Sequence, residues 1–419
     1  MELRPGFRHT EAGMIPEDWE LRTLGSLTSL LTNGFVGTAT SAYVDGDDGV
    51  LYIQGYNVQE NGFNFHGIKR VSKSFHARNK KSCLRPGDLL TIQTGEIGVT
   101  TAVPPELAGA NCHALIISRL NQQVSEPHFY CQYFNSERGR AAFKEIETGT
   151  TMKHLNCGDM RRLLLPSPPI EEQRAIAAAL SDVDSMLNAL DRLIVKKRNL
   201  KKAASQQLLT GRTRLHGFEA EWEDTTLGQI GECIIGLTYK PENVVEHGLL
   251  VLRSSNVQNG RLAFEDNVHV NLQVSDHLYT RIGDILVCVR NGSRALIGKC
   301  ALIDATAVGV TFGAFMSVYR TKHWRYVFHA FQGDSVQRQI RDNIGATINQ
   351  ITNKDMNAFR LKLPPEDEQA AIDDVLSDMD RELTALEQRR AKTRILKQAM
   401  IQELLTGKTR LVSVGDAHV

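Results

Sequence analysis

The sequence predicts an α+β protein in which two similar mixed α/β domains alternate with two long helices, the whole chain being an internal repeat. Three observations carry that expectation. Residues 172–215 and 368–411 align without a gap at a shift of 196 positions, and about half of the aligned residues are identical. Within both segments apolar residues recur at alternating spacings of four and three, the signature of a helix with a single apolar seam. Between them lie short β-branched and aromatic runs such as "GVLYIQGYNV", "DLLTIQT" and "DILVCVR", broken by Gly, Asn and Asp, which read as short strands.

Bulk properties narrow the class. A chain of 419 residues has room for two or three domains, and its 42% hydrophobic and 23% charged residues fit a globular protein rather than a disordered or membrane one. The opening "MELRPGFRHTEAG" lacks the apolar core of a signal peptide, and no apolar run is long enough to span a bilayer. A cytoplasmic location without membrane association is expected. The cysteines at 83, 112, 131, 157, 233, 288 and 300 include no Cys-x-x-Cys pair, so reduced, mostly buried thiols are expected rather than disulfides or a zinc site. The net charge of +1 excludes a globally basic nucleic-acid coat and leaves local basic faces open.

In chain order, residues 1–165 form the first domain and 166–212 the first long helix. The helix follows Pro168 and Pro169, opens on Glu171 and Glu172 at the positive end of its dipole, and carries its seam on Ile176, Leu180, Val183, Leu187, Leu190 and Ile194. Residues 213–361 form the second domain and 362–411 the second helix, whose seam is Ile372, Leu376, Met379, Leu383 and Leu386, with 412–419 as a tail. Such seams want a partner helix, and about 40 residues at ~1.5 Å each make rods of roughly 60 Å. Weaker echoes of the repeat extend into the domains, among them "RPGDLLTIQTG" against "RIGDILVCVRNG" and "TGTTMKHLNCGDM" against "IGATINQITNKDM".

Each helix ends in "LLTGRTRL" or "LLTGKTRL", the second of which mimics a nucleotide-binding loop. The first copy has Arg212 in place of the lysine, a phosphate loop would need glycine where Gln402 stands, and the motif closes a helix instead of opening one. Gly211 and Gly407 are therefore expected as left-handed helix caps. Catalytic motifs are equally absent: there is no glycine-rich cofactor turn, no metal-ligand spacing among the 13 histidines and no amino-methyltransferase signature at the double prolines. Asp88 and Asp284, each after a glycine and before an apolar run, read as turn residues.

Polar loops are the candidates for function. From His66 to Arg85 the chain holds Lys69, Arg70, Lys73, Arg78, Lys80 and Lys81 and no acidic residue, enough positive charge to meet a phosphate backbone. Further candidates in the first domain are Gln54, Tyr56, Asn57, Gln93, Thr150, Thr151, Lys153 and His154. In the second they are Tyr239, Lys240, Arg253, Asn256, Arg290, Asn291, Arg294, Thr347, Asn349 and Gln350. Arg and Lys suit guanine and Asn and Gln suit adenine, so one scaffold with different loops would read different bases.

The "GMIPEDWE" and "GFEAEWEDTTLG" segments, the "GDLL" and "GDIL" turns, the "PPxxEQ" helix starts and the doubled "LLTGxTRL" resemble the specificity subunits of type I restriction-modification enzymes over nearly the whole chain. The resemblance implies two target-recognition domains, each reading half of a bipartite site in double-stranded DNA, and two antiparallel helices that set the unread spacer. It also implies two modification (methyltransferase) subunits and restriction (motor-nuclease) subunits as partners. S-adenosylmethionine, ATP and Mg²⁺ would be bound by those partners, none of them by this chain, which would not itself be an enzyme. The outward faces around 196–202 and 389–397 are expected to meet partners. A coiled-coil scaffold without DNA specificity is the alternative reading.

Overall fold

A computed structural model describes residues 5–345 and 349–412. The chain divides into two compact units, Met1–Leu190 with Arg389–Val419, and Asp191–Gln388. Each unit thus takes one domain and half of each long helix, a grouping that cuts across the linear order.

In the first unit a four-stranded antiparallel sheet runs in the order Thr100–Ala102, Leu89–Ile92, Leu115–Leu120, Thr28–Asn33. Its continuous apolar runs are explained by burial on both faces. Leu89 and Ile116 join a core with the helices Pro127–Asn135 and Glu137–Ile146, whereas Leu90, Ile92, Leu115 and Ile117 join a second core with Ile53 and Cys112 of a three-stranded sheet. That smaller sheet has the order Asn111–Cys112, Val50–Ile53, Lys69–Val71, with one parallel and one antiparallel pairing. The second unit repeats the plan. Ile285 and Val287 face the helices Trp324–Gln332 and Asp334–Asn343, and Leu286 and Cys288 face a sheet containing Leu249–Leu252 and Thr311–Phe312. Two layered sheets per domain therefore replace the single small sheet that alternation alone suggests.

The repeated Gly-Asp turns start these central strands. Asp88, buried, accepts from the Arg85 amide and takes both Nε (2.7 Å) and Nη2 (2.6 Å) of Arg119 on the neighbouring strand. Asp284 does the same with Arg281 and Arg320, at 2.8 and 2.7 Å. These carboxylates brace strands; they face no cleft.

The long helices span Ile170–Leu208 and Glu366–Leu404, 39 residues each. They run antiparallel. In the second unit Lys197 pairs with Glu382, Arg198 with Glu387 and Lys201 with Asp380, each at 2.6 Å, and in the first unit Lys397 pairs with Asp184 at 2.6 Å. Four of the cations expected to face partners are thus turned toward the neighbouring helix. Of the seam, Ile176, Leu180, Leu190, Ile194, Ile372, Leu376 and Leu383 are buried, while Val183, Leu187, Met379 and Leu386 are half-buried. The first turns serve the domains as well, since Ile176 and Leu180 belong to the first core and Ile372 and Leu376 to the second.

The doubled motif closes each unit. Gly211 and Gly407 adopt φ of +68° and +67°, and the amides of Arg212 and Lys408 return to the carbonyls of Gln207 and Glu403, as a left-handed helix cap requires. A side chain at Gly407 would also strike Pro16, whose Cγ lies 2.3 Å from the position of an added Cβ. Beyond the cap, Arg410 grips the fully buried Glu172 at the start of the first helix (Nη2–Oε2 2.7 Å) and Asp18 (2.7 Å), and the Trp19 indole donates to the same Glu172 at 3.0 Å. In the second unit Arg214 and Trp222 hold Glu368 at 2.6 and 2.8 Å. What resembles a phosphate loop is an arginine latch.

Candidate nucleic-acid interface

In the first unit, two loops carry most of the candidates. The Leu155 amide donates to the Gln93 carbonyl at 3.0 Å, tying the loop after Leu89–Ile92 to the loop 148–155. Reciprocal backbone bonds between Thr148 and His154, 3.0 and 2.9 Å, close the second loop and leave Thr150, Thr151, Met152, Lys153 and His154 exposed. Gly149, at φ +101°, permits the closure, for a Cβ there would meet the Met152 carbonyl oxygen at 2.3 Å. Lys153 reaches Glu147 at 3.2 Å but stays mostly in solvent.

A basic ledge lies on the edge of the smaller sheet. Lys69–Val71 is its outer strand, and Ser72, accepting from the Phe75 amide at 3.2 Å, caps the helix Lys73–Arg78. Phe75 is buried against Phe35, with ring centroids 4.9 Å apart, which fixes the opposite side outward. Lys69, Lys73, Arg78, Lys80 and Lys81 are exposed and have no carboxylate partner among the described residues. Arg70 is more committed, bonding Asp47 at 3.0 Å and the Gly49 carbonyl at 2.9 Å. In the second unit a short turn, Asp276–Leu278, stands where the basic helix would be.

The second unit's loops are joined in the same manner, with the Ile351 amide donating to the Val289 carbonyl at 3.0 Å. This brings Arg290, Asn291, Asn349 and Gln350 together. Arg290 and Gln350 form a backbone bridge, the Asn291 amide donates to the Asn349 carbonyl at 3.2 Å, and the Asn349 side chain donates to Gly292 at 2.9 Å. Asn291 also bonds Ser254 at 3.0 Å. Tyr239, half-buried, flanks Gly313 in the segment leading to Phe315. Lys240 and Arg294 are exposed, Lys240 beside Glu242 at 3.6 Å and Arg294 donating to the Arg341 carbonyl at 3.2 Å. Thr347 lies outside the described residues.

Two candidates are corrected. Asn57 and Asn256 are fully buried, and each spends its side chain on its own loop. Asn57 accepts from the Gln54 amide at 3.0 Å and donates to the Asn64 carbonyl at 2.9 Å; Asn256 does likewise with Arg253 and Ala263, both at 2.9 Å. Neither can reach a ligand. Arg253 is half-occupied as well, held to Asp266 at 2.8 Å. Gln54 and Tyr56 do stay accessible, linked to each other at 3.2 Å, with the Tyr56 hydroxyl donating to Gly67 at 2.8 Å. Burial, and then Tyr43, raise that hydroxyl's pKa, so it acts as a neutral donor.

Three exposed apolar side chains escape a reading by polar type: Met152 (74% exposed), Phe65 (54%) and Phe315 (54%). Phe315 carries the Arg290 guanidinium over its ring at 5.0 Å. Nothing in residue type distinguishes it from a core phenylalanine; only its place just before the strand Met316–Arg320 puts it outside.

Catalytic geometry does not emerge. Among the described residues no group of three or more His, Cys, Asp or Glu side chains could hold a metal ion. His329, Asp373 and Ser377 are close, but His329 is 3% exposed and uses one atom, Nε2, toward both Asp373 (3.1 Å) and Ser377 (3.5 Å), so the trio pins the second helix and activates no hydroxyl. Also among the described residues, no helix is long and apolar enough to cross a membrane. What the loops offer is cations, amides and exposed rings, the equipment for phosphates and base edges.

The family model described as type I restriction modification DNA specificity domain matches residues 16–197 and again 219–396. The type I restriction enzyme MjaVIII specificity subunit of Methanocaldococcus jannaschii is 21% identical over 430 aligned residues, covering 98% of this chain and 97% of that one. The EcoKI specificity subunit of Escherichia coli K12 is 27% identical over 203 residues, 45% of this chain and 43% of that one. Among solved structures, the type I restriction-modification S subunit from M. genitalium superposes with a TM-score of 0.60 at 17% identity, over 96% of this chain and 98% of that one.

Proposed function

The chain belongs to the type I restriction-modification DNA specificity family, as a specificity subunit with two DNA-specificity domains, and from that premise we propose that each domain reads one half of a split site in double-stranded DNA. The observation that carries the proposal is the doubled domain match, joined to loop sets that share backbone bonds and differ in side chains. One scaffold presents Thr150, Thr151, Lys153 and His154 beside Gln93; the other presents Asn349 and Gln350 beside Arg290 and Asn291. Different donors select different bases.

On this reading the paired helices fix the unread spacer and offer their free faces to two methyltransferase subunits, with motor-nuclease subunits completing the complex in the cytoplasm. S-adenosylmethionine belongs to the methyltransferases, and ATP and Mg²⁺ to the motor. This chain holds the half-sites in register while the target adenine leaves the duplex for the methyltransferase pocket. Co-expression with the cognate methyltransferase subunit and single-molecule mapping of N6-methyladenine tests it. One split motif with a fixed gap and a modified adenine in each half is expected. A stable complex that yields no motif would favour the scaffold alternative.

A further inference from the structure

The two domains superpose in their loop bonding, which makes their differences at equivalent positions informative. The bond from Leu155 to Gln93 in one unit is matched by the bond from Ile351 to Val289 in the other, both 3.0 Å. The next residue outward is Thr94 in the first and Arg290 in the second. The amides of Ala114 and Ala314 donate equivalently to the carbonyls of Phe35 and Leu237, but Ala114 leads directly into the central strand at Leu115, whereas Phe315 is interposed before the strand at Met316. The second unit alone has an exposed arginine stacked on an exposed ring there. Nothing in its core needs the pair.

Both partners are unusual where they stand. A phenylalanine that leaves half its surface in water forgoes the burial that keeps such rings inside. Arg290 has no carboxylate partner among the described residues, unlike the bracing Arg320 on the adjacent strand. The ring, with the guanidinium 5.0 Å from its centre, holds the long side chain over its face and leaves its N–H edge without a hydrogen-bond partner among the described residues. The backbone beneath is fixed from two sides: the amides of Val289 and Arg290 donate to the Phe315 carbonyl at 3.0 and 3.1 Å, and Arg290 bridges Gln350. A planar, pre-aimed fork of donors matches one base edge in the major groove, the O6 and N7 acceptors of guanine.

We propose that Arg290, positioned by Phe315, specifies a guanine in the half-site read by the second domain, where the first domain has Thr94 and no residue in the place of Phe315. The proposal rests on the recognition reading above. Its test is the methylation motif of three variants of the full chain, each co-expressed with the cognate methyltransferase subunit. R290Q should lose about tenfold or more of its preference for that guanine, or shift it toward adenine, with the other half-site unchanged. F315A should weaken the same position and no other, and F315W, which restores a ring under the guanidinium, should recover it. If R290Q abolishes methylation altogether, the F315A motif decides. Guanine kept intact in R290Q, or F315A altering no position or a different one, overturns the assignment and leaves the bipartite reading standing. Absence of any split motif with the unaltered chain overturns the reading itself.

Discussion

Arg410 and Arg214, just past the glycine caps of the long helices, each answer a glutamate with no solvent exposure. The hydrogen bonds that Arg410 donates to Glu172, then to Asp18, raise its pKa further above the usual value, so the charge is permanent. Removing the guanidinium would leave a buried carboxylate facing only an indole. R410A should therefore lower the unfolding free energy by about 3–5 kcal/mol, and R410K, which keeps the charge without the two-pronged geometry, should lose less. Denaturant titration measures both, and an R410A variant as stable as the parent would show the latch to be ornamental. The cysteines give a second check at this scale. All seven are free; burial pushes the Cys131 and Cys300 thiols up to about 12, and burial followed by Glu232 does the same to Cys233. At pH 8 these three stay protonated, so iodoacetamide should spare them in the native protein and label all seven after denaturation, as mass spectrometry can count.

At the scale of elements, the helices were the most legible part, because a period near 3.6 and a gapless internal alignment are long-range signals that no local ambiguity can erase. Their ends were legible too: proline pairs before Ile170 and Glu366, and glycines that do take positive φ. The two-sheet layering was not, since a run such as Leu89–Ile92, buried at all four positions, carries no alternation to say which neighbour covers which face. Nor does amide chemistry separate a base reader from a loop brace. Asn57 and Asn256 show the signal that could have done so: both sit before Val-Gln in both copies, and a residue kept identical across two different readers serves the scaffold. The seam's spacing implies helix against helix, whereas its first turns are docked into domain cores. That difference is measurable. Leu376, at 0% exposure within the second core, should cost about 2–5 kcal/mol as L376A, and half-buried Leu386, outside that core, distinctly less as L386A. Equal losses from urea unfolding would return the seam to a purely interhelical role.

For the molecule as a whole, a net charge of +1 means that no general field draws it to DNA, and attraction has to come from placement. The placement is lopsided. Lys73, Lys80 and Lys81 cluster on the first domain's ledge without carboxylate partners among the described residues, whereas in the second domain the turn Asp276–Leu278 stands in place of that basic helix and Arg253 is held to Asp266. Phosphate contacts position a protein and release counterions without carrying sequence information, while base contacts do the reverse. The ledge and the loops should therefore separate experimentally. Replacing Lys73, Lys80 and Lys81 together by alanine should weaken DNA binding by the assembled complex, and it should flatten the plot of log affinity against log salt by up to about 0.9 for each lysine that meets a phosphate. The methylated motif should remain the same in both halves. A motif that loosens in the first half would instead place those lysines against bases, and an unchanged salt slope would remove the ledge from the interface altogether.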